Sequence, residues 1–377
     1  MNFYKLIWFV FLLLPTIGIA QISEEGSKAD TTNIFVKNAD NFIRDASDST
    51  PIQFLRGNVK MYQDSIFMFC DSAILVQNNL TAIGTVVIIH DDSIKVFADS
   101  LVYNGDLRLA ELYDQVVLEN GEQKLFSNEL FYDLNSKVAT YSDTAYMQNQ
   151  RATVKSIRGR FDVDQDVAEF YEDVVVKDTV FYMTTDSLRY NTETDVASFI
   201  SYTNIKKGDQ IITCNSGYYD LVNDKALFGS QASLSDAESK ASASKIEYDG
   251  KKEELVLTGN AVYEKGLEFA SGNKMIFDQS TDDVLLEGQA YYKSEKQAVS
   301  GDRIRYNRTT EDLDVQGQGE INNESLNIKA IKLSFDNTLN LGLAEENVIW
   351  KDTVNNYQID SERLLYNDST NLSEPKS

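Results

Sequence analysis

Among 377 residues there is one histidine, two cysteines and three prolines, and acidic side chains outnumber basic ones 59 to 35. Each shortage excludes something. A single histidine cannot supply the cluster of imidazoles that many zinc centres use, and it leaves little for histidine-based proton transfer. A net charge of −24 lacks the basic surface that neutralising phosphates requires, so nucleic acid is not an expected partner. No proline lies between Pro51 and Pro375, so no residue in the body of the chain lacks a ladder donor. Beyond the N-terminal apolar run, no segment approaches the roughly 18 consecutive apolar residues of a membrane helix. What is present is equally telling: 42% hydrophobic and 11% aromatic residues are too many for a disordered acidic polymer.

The N-terminus reads as an export signal. Lys5 supplies the positive end, Leu6 to Leu14 is an unbroken apolar run, and Gly18-Ile19-Ala20 offers the small residues that a signal peptidase reads. Cleavage is expected after Ala20. The run is short for a bilayer span, and no cysteine follows it to carry a lipid.

The body of the chain repeats itself. An aromatic residue followed by Asp or Asn recurs as Tyr103-Asn104, Tyr132-Asp133, Phe161-Asp162, Tyr190-Asn191, Tyr219-Asp220, Tyr248-Asp249, Phe277-Asp278, Tyr306-Asn307 and Phe335-Asp336. Every interval is 29 residues, and Tyr366-Asn367 follows as a last copy. Other columns keep that register. Seven residues before the aromatic stand apolar residues such as Val96 and Leu125; five before stand small ones such as Ala98, Ser127 and Ser156; two before stands Leu101, Leu130, Leu188, Ile246 or Ile304. Nine after come Leu112, Tyr141, Phe170 and Phe199, and fifteen after Leu118, Val176, Ile205, Tyr263 and Trp350.

These offsets have a period of two, so each unit predicts two β-strands joined by a turn at the aromatic-Asp pair, where Asp and Asn bond the following backbone. One step in the first strand is odd: positions −7 and −5 share a face, as do −2 and 0, but the two pairs meet only through a bulge or bend. Asp or Asn at −4 (Asp99, Asn128, Asp186, Asn273, Asp302) marks that bend. The second strand has a matching soft spot eleven after the aromatic, at Asp114, Asp143, Glu172, Gly259, Gly288 and Gly317. Both strands therefore fold over midway, and successive hairpins stack into one elongated sheet with two facing halves. Residues 21–51 read as a polar leader with one irregular strand, 52–366 as the repeat domain and 367–377 as a disordered tail.

Local motifs offer little chemistry. Cys70 and Cys214 both fall in the small-residue column, five repeats apart, too far for a disulfide, so buried free thiols are expected. His90-Asp91-Asp92 reads as a hairpin turn. Neither the calcium nonapeptide of repeat-toxin solenoids nor a Gly-x-Ser-x-Gly or phosphate-binding loop occurs, so no enzyme, metal or cofactor is expected.

Gly57-Asn58-Val59 and Gly259-Asn260-Ala261 alternate with segments such as Ala98-Asp99-Ser100-Leu101-Val102-Tyr103-Asn104 and Thr185-Asp186-Ser187-Leu188-Arg189-Tyr190-Asn191. This pattern resembles the OstA-like family, which includes LptA and the N-terminal domain of LptD, over roughly residues 52 to 366. The resemblance implies an all-β, elongated antiparallel β-jelly roll in the periplasm of a Gram-negative bacterium. It also implies a greasy interior cradling the acyl chains of lipopolysaccharide or a similar amphiphile, and edge-strand pairing with other jelly-roll transport components or end-to-end self-association.

The inward candidates for contact with such a ligand are Tyr103, Leu130, Tyr132, Phe161, Phe170, Leu188, Tyr190, Phe199, Tyr219, Ile246, Tyr248, Phe277, Ile304, Tyr306 and Phe335. On the residues alone, the same columns fill a dry core equally well. A structural or adhesive surface solenoid that binds glycan or protein is the rival reading.

Overall fold

The computed structural model describes residues 33–47, 49–148, 152–367 and 372–376. The expected export signal and its cleavage site lie outside them. Among the described residues there is one continuous antiparallel sheet and no helix. Strand follows strand as hairpins: Asn79–His90 pairs with Ile66–Val76 before it and Ile94–Asn104 after it, and Glu254–Lys265 pairs with Ser239–Asp249 and Glu268–Asp278.

The turns form where the aromatic-Asp pair predicts. The Asp133 carboxylate accepts from the Asn135 N–H at 2.9 Å, Asp220 from Asn223 at 2.9 Å and Asp336 from Leu339 at 2.9 Å. The fifth residue after each aromatic takes a left-handed backbone, as at Arg108, Lys137, Asp166, Asp195, Asp224 and Glu253, where φ lies between 52° and 56°. That conformation aims its carbonyl at the next unit. Leu134 N–H donates to Arg108 O at 3.0 Å, Val163 to Lys137 O at 3.2 Å, Thr192 to Asp166 O at 2.7 Å and Gly250 to Asp224 O at 2.9 Å. Backbone bonds thus stitch turn to turn, in compensation for roughly 1–2 kcal/mol of left-handed strain per residue.

The predicted crease is real and has a defined geometry. Ile83 pairs with Ser100 and Val86 with Ala98, so Gly84-Thr85 together oppose the lone Asp99. The same two-against-one bulge recurs at Gly57-Asn58, Asp114-Gln115, Glu172-Asp173, Ser230-Gln231, Gly259-Asn260, Gly288-Gln289, Gly317-Gln318 and Glu346-Asn347, and both residues of every pair have positive φ. The Asp or Asn of the preceding strand packs into this corner. Thr85 Oγ1 donates to Asp71 Oδ2 at 3.0 Å, and Gln115 Nε2 donates to Asp99 Oδ2 at 3.0 Å. A Cβ at Gly317 would stand 2.1 Å from Asp302 Oδ2, so glycine there serves both the φ of 75° and the close approach. In mid-chain the corner sharpens into a break. Val138–Tyr141 and Ala145–Gln148 flank one break, and Val196–Phe199 and Thr203–Lys207 flank another.

The crease divides the sheet into two leaves. The first carries the aromatic-Asp turns and, facing inward, positions −2, 0, +7 and +9. The second carries the opposite turns and positions −7, −5, +13 and +15. Their inner faces share a single hydrophobic core that runs the length of the stack.

Two boundaries differ from the sequence reading. The sheet begins within the expected leader: Phe35–Asn38 and Asn41–Asp45 pair with the two ends of Ile52–Gln63. Asp40 lies between them and fills the corner role, accepting from Asn58 Nδ2 at 2.8 Å, so this is a partial repeat. The expected disordered tail also contains a strand. Leu372–Lys376 pairs with Arg363–Asn367, because the last full strand otherwise leaves a row of backbone donors and acceptors without partners.

Candidate functional site

Every inward candidate faces the core, but the candidates fall into two groups. Tyr103, Leu130, Tyr132, Phe161, Phe170, Leu188, Phe199, Ile246 and Ile304 are buried. Tyr190, Tyr219, Tyr248, Phe277, Tyr306 and Phe335 pack against the core but stay partly exposed. Position decides which. Columns beside the crease are buried along the whole chain, as shown by Leu112, Leu257, Met275 and Val315 at 0% exposure. The columns at the free lips of the leaves change partway. The aromatic column is sealed at Tyr103, Tyr132 and Phe161 (1%, 0% and 3% exposed), then half-exposed from Tyr190 onward. The +7 column is mixed: Ala110, Ala139 and Ala168 are buried, and so are Ala226 and Leu313 further on, whereas Ala197, Leu255 and Val284 are partly exposed.

The seam where the two lips meet explains the change. In the first section it is closed by polar bonds from leaf to leaf. The Tyr103 hydroxyl donates to Gln63 Oε1 at 2.6 Å, the Tyr132 hydroxyl lies 2.9 Å from His90 Nδ1, and Gln63 Nε2 donates to Gly105 O at 2.9 Å. Ion pairs between opposing turns reinforce it: Arg108 meets Asp64, and Lys137 Nζ stands 3.0 Å from both Asp91 and Asp164. Burial pushes the Tyr103 and Tyr132 hydroxyls well above the ordinary tyrosine range and Tyr141 up to about 12. It pushes His90 below the ordinary imidazole range, against the pull of Asp91. All of these rings are therefore neutral at pH 7.

In the second section the lips meet through rings. Phe181 stands edge-on to Tyr219 with centroids 6.4 Å apart, Tyr263 meets Phe277 at 5.5 Å, and Tyr292 stacks on Tyr306 at 5.8 Å. These contacts are apolar, carry no fixed charge and leave ring edges in contact with solvent. Burial raises the hydroxyls of Tyr248, Tyr263 and Tyr306, and raises Tyr292 to about 12. Among the described residues, one buried donor in this section has no partner: the indole Nε1 of Trp350, a residue only 6% exposed. The Ser361 hydroxyl, on the neighbouring strand and the same inner face, is likewise unpartnered.

The remaining sequence candidates stand as read. Cys70 and Cys214 are free and buried, with thiols raised to about 12 and about 11 by desolvation, which makes them inert as nucleophiles. His90 ends a strand, and Asp91 and Asp92 form its turn at φ 50° and 57°. The seam partners Gln63, His90, Arg108 and Lys137 were not legible as a set, because they come from different repeats and occupy columns of variable residue type.

Creased hairpins stacked around a continuous apolar lining define a repeat-built β-jelly roll with an internal face suited to apolar ligands. A family profile described as OstA-like protein matches residues 31–186. A second, described as LptA/(LptD N-terminal domain) LPS transport protein, matches residues 203–283 and 264–312. Residues 31–186 thus match the OstA-like family, and residues 203–312 match the LptA/LptD N-terminal family. Among solved structures, LptH from Pseudomonas aeruginosa, an LptA-homologous periplasmic component of a lipopolysaccharide transport device, is 19% identical. That match covers 37% of this chain and 83% of LptH, with a TM-score of 0.20. The extracellular domain of the one-component system BT4673 from B. thetaiotaomicron is 9% identical over 90% of this chain and 79% of its own, with a TM-score of 0.15. No curated protein matches the chain.

Proposed function

We propose that this protein is a periplasmic carrier in lipopolysaccharide transport, holding the acyl chains of its cargo against the inner faces of the two leaves. The observation that carries the reading is the inner lining: an apolar stripe unbroken from the first strands to Trp350, with one ring per repeat at the lip. A carrier of this kind needs no titrating catalyst. The tyrosines and His90 buried along the interior are neutral, and the family profiles describe OstA-like and lipopolysaccharide-transport proteins. Each methylene moved from water onto this lining gains roughly 0.8 kcal/mol, so a few chains suffice for stable binding.

Both ends of the sheet suit the bridge role. Phe35–Asn38 and Asn41–Asp45 form one edge, with Phe35 and Phe42 exposed, and Leu372–Lys376 adds a strand toward the other. Such edges accept a strand from another jelly-roll component or from a second copy. Export through residues 1–20, with cleavage after Ala20, delivers the chain to the periplasm. The test is to purify the chain from its native envelope and extract it for mass spectrometry. Co-purifying lipopolysaccharide or a related acylated amphiphile supports the reading, and a lipid-free protein refutes it.

A further inference from the structure

We propose that the two sections of the sheet have different tasks: the chain before about residue 188 is a sealed spacer, and the amphiphile is held only in the section from Tyr190 to Tyr366. This rests on the carrier reading and narrows it to one part of the interior.

The aromatic lip column and its seam contacts change together, and the profile matches change near the same boundary. The lip column passes from sealed rings at Tyr132 and Phe161 to half-exposed rings at Tyr190 and Tyr219. The seam passes from cross-leaf hydrogen bonds and ion pairs to ring contacts. The match to the OstA-like profile ends at residue 186, and the match to the LptA/LptD N-terminal profile starts at residue 203.

The chemistry separates the sections in the same way. To admit an acyl chain, the first section must break the His90–Tyr132 and Tyr103–Gln63 bonds and leave buried polar atoms unpaired, which costs roughly 1–3 kcal/mol each. In the second section the lip contacts Phe181–Tyr219, Tyr263–Phe277 and Tyr292–Tyr306 are between rings, and an acyl chain replaces them with equivalent apolar area. It also offers something the first does not: Trp350, an inward-facing residue whose buried indole N–H has no partner among the described residues, beside the Ser361 hydroxyl, which likewise has none there. Gln123 Oε1, the other buried side-chain atom without a partner among the described residues, lies at a turn and is an acceptor. Two donors on an apolar wall fit the ester or amide carbonyl that joins an acyl chain to its polar head. Six strand pairs at roughly 4.8 Å per strand give the open section a length of about 58 Å, against about 15 Å for one leaflet of acyl chain, so it accommodates several chains in line.

The experiment uses the full chain with Trp8→Phe, which leaves Trp350 as the sole tryptophan. It is titrated with stearic acid brominated at mid-chain, a contact quencher of indole fluorescence. Saturable loss of Trp350 emission is expected. With Trp350→Phe added, Tyr248→Trp or Tyr306→Trp should be quenched, whereas Leu80→Trp or Phe161→Trp should keep its emission. Because the buried substitutions threaten folding, hydrogen exchange on the unmutated chain is run in parallel, with protection by the probe expected only within residues 190–366. Quenching or protection that is equal in both sections overturns the division and leaves the carrier reading intact. An absence of quenching and protection everywhere overturns both.

Discussion

Replacing matched rings of one column measures how different the two sections are. Tyr132 and Tyr306 occupy the same position in their repeats, yet Tyr132 is fully buried with its hydroxyl 2.9 Å from His90 Nδ1, whereas Tyr306 is half-exposed and stacked on Tyr292 at 5.8 Å. Tyr132→Ala removes a buried aromatic, at about 3–5 kcal/mol, and leaves the His90 ring nitrogen unpaired in the core, at about 1–3 kcal/mol more. Relaxation recovers part of this, so about 5 kcal/mol is expected. Tyr306→Ala forfeits about half of a ring's burial and one stacking contact of about 1 kcal/mol, for about 2 kcal/mol in all. The difference of about 3 kcal/mol is more than a hundredfold in the local opening constant, at 1.4 kcal/mol per tenfold. A repeat array has no single unfolding free energy, so the assay is native-state hydrogen exchange. It should resolve the strands Gln123–Asp133 and Gln297–Asn307. Equal acceleration in the two strands, or a larger effect at Tyr306→Ala, would refute the sealed and open distinction.

Further outcomes follow from other parts of the sheet. The native His90 pKa is depressed by desolvation, so the unfolded chain binds the extra proton first as pH falls. Stability of the first section should therefore be complete above about pH 6.5 and decline as pH drops from there toward the lower native value. Asp91 is held below and Lys137 above the ordinary range by their mutual hydrogen bond and others, so neither changes charge in that window, and His90→Gln should remove the slope when exchange is followed between pH 7 and 5. At the crease, Gly317→Ala should destabilise by about 1–2 kcal/mol through left-handed strain and its clash with Asp302, measured as local exchange in Leu313–Asn323. The double change Arg108→Ala and Lys137→Ala removes the cross-seam ion pairs. Exposed pairs contribute about 0–1 kcal/mol each, so exchange around Tyr103 and Tyr132 should rise several-fold, and added salt should reproduce part of the effect in the native chain. Maleimide should label neither Cys70 nor Cys214 until the chain is unfolded; rapid labelling of the native protein would contradict their burial.

The periodicity of 29 and the side-chain columns made the hairpins, the turns and even the crease legible, because each rests on residue type at a fixed offset. The odd step between −5 and −2 anticipated the bulge, and the Asp-or-Asn column next to it turned out to be the group that fills the corner. Conformations carried by varied residues stayed hidden. The left-handed site five after each aromatic holds Arg108, Lys137, Asp166 and Asp195 in turn, so no single residue type flags it. The same limit explains the sections: Tyr132 and Tyr306 are the same residue at the same offset, and only the partners across the seam, His90 in one case and Tyr292 in the other, make one sealed and the other accessible. One irregular strand was legible in the leader, but its division into Phe35–Asn38 and Asn41–Asp45, and the tail strand Leu372–Lys376, were not, because their pairing is dictated by exposed sheet edges.

The bonds that stitch one turn to the next run from main chain to main chain in most units, with the same carbonyl on one side and the same amide on the other; Asn337 N–H instead donates to the Asp312 carboxylate. Nothing in the main-chain join depends on which unit comes next. Insertion or loss of a complete 29-residue module should leave both junctions chemically identical, whereas a change of one or two residues would flip the faces of every strand downstream. Length in such a molecule is thus quantised, and the span it can cover changes in steps of one hairpin, roughly 10 Å at a time.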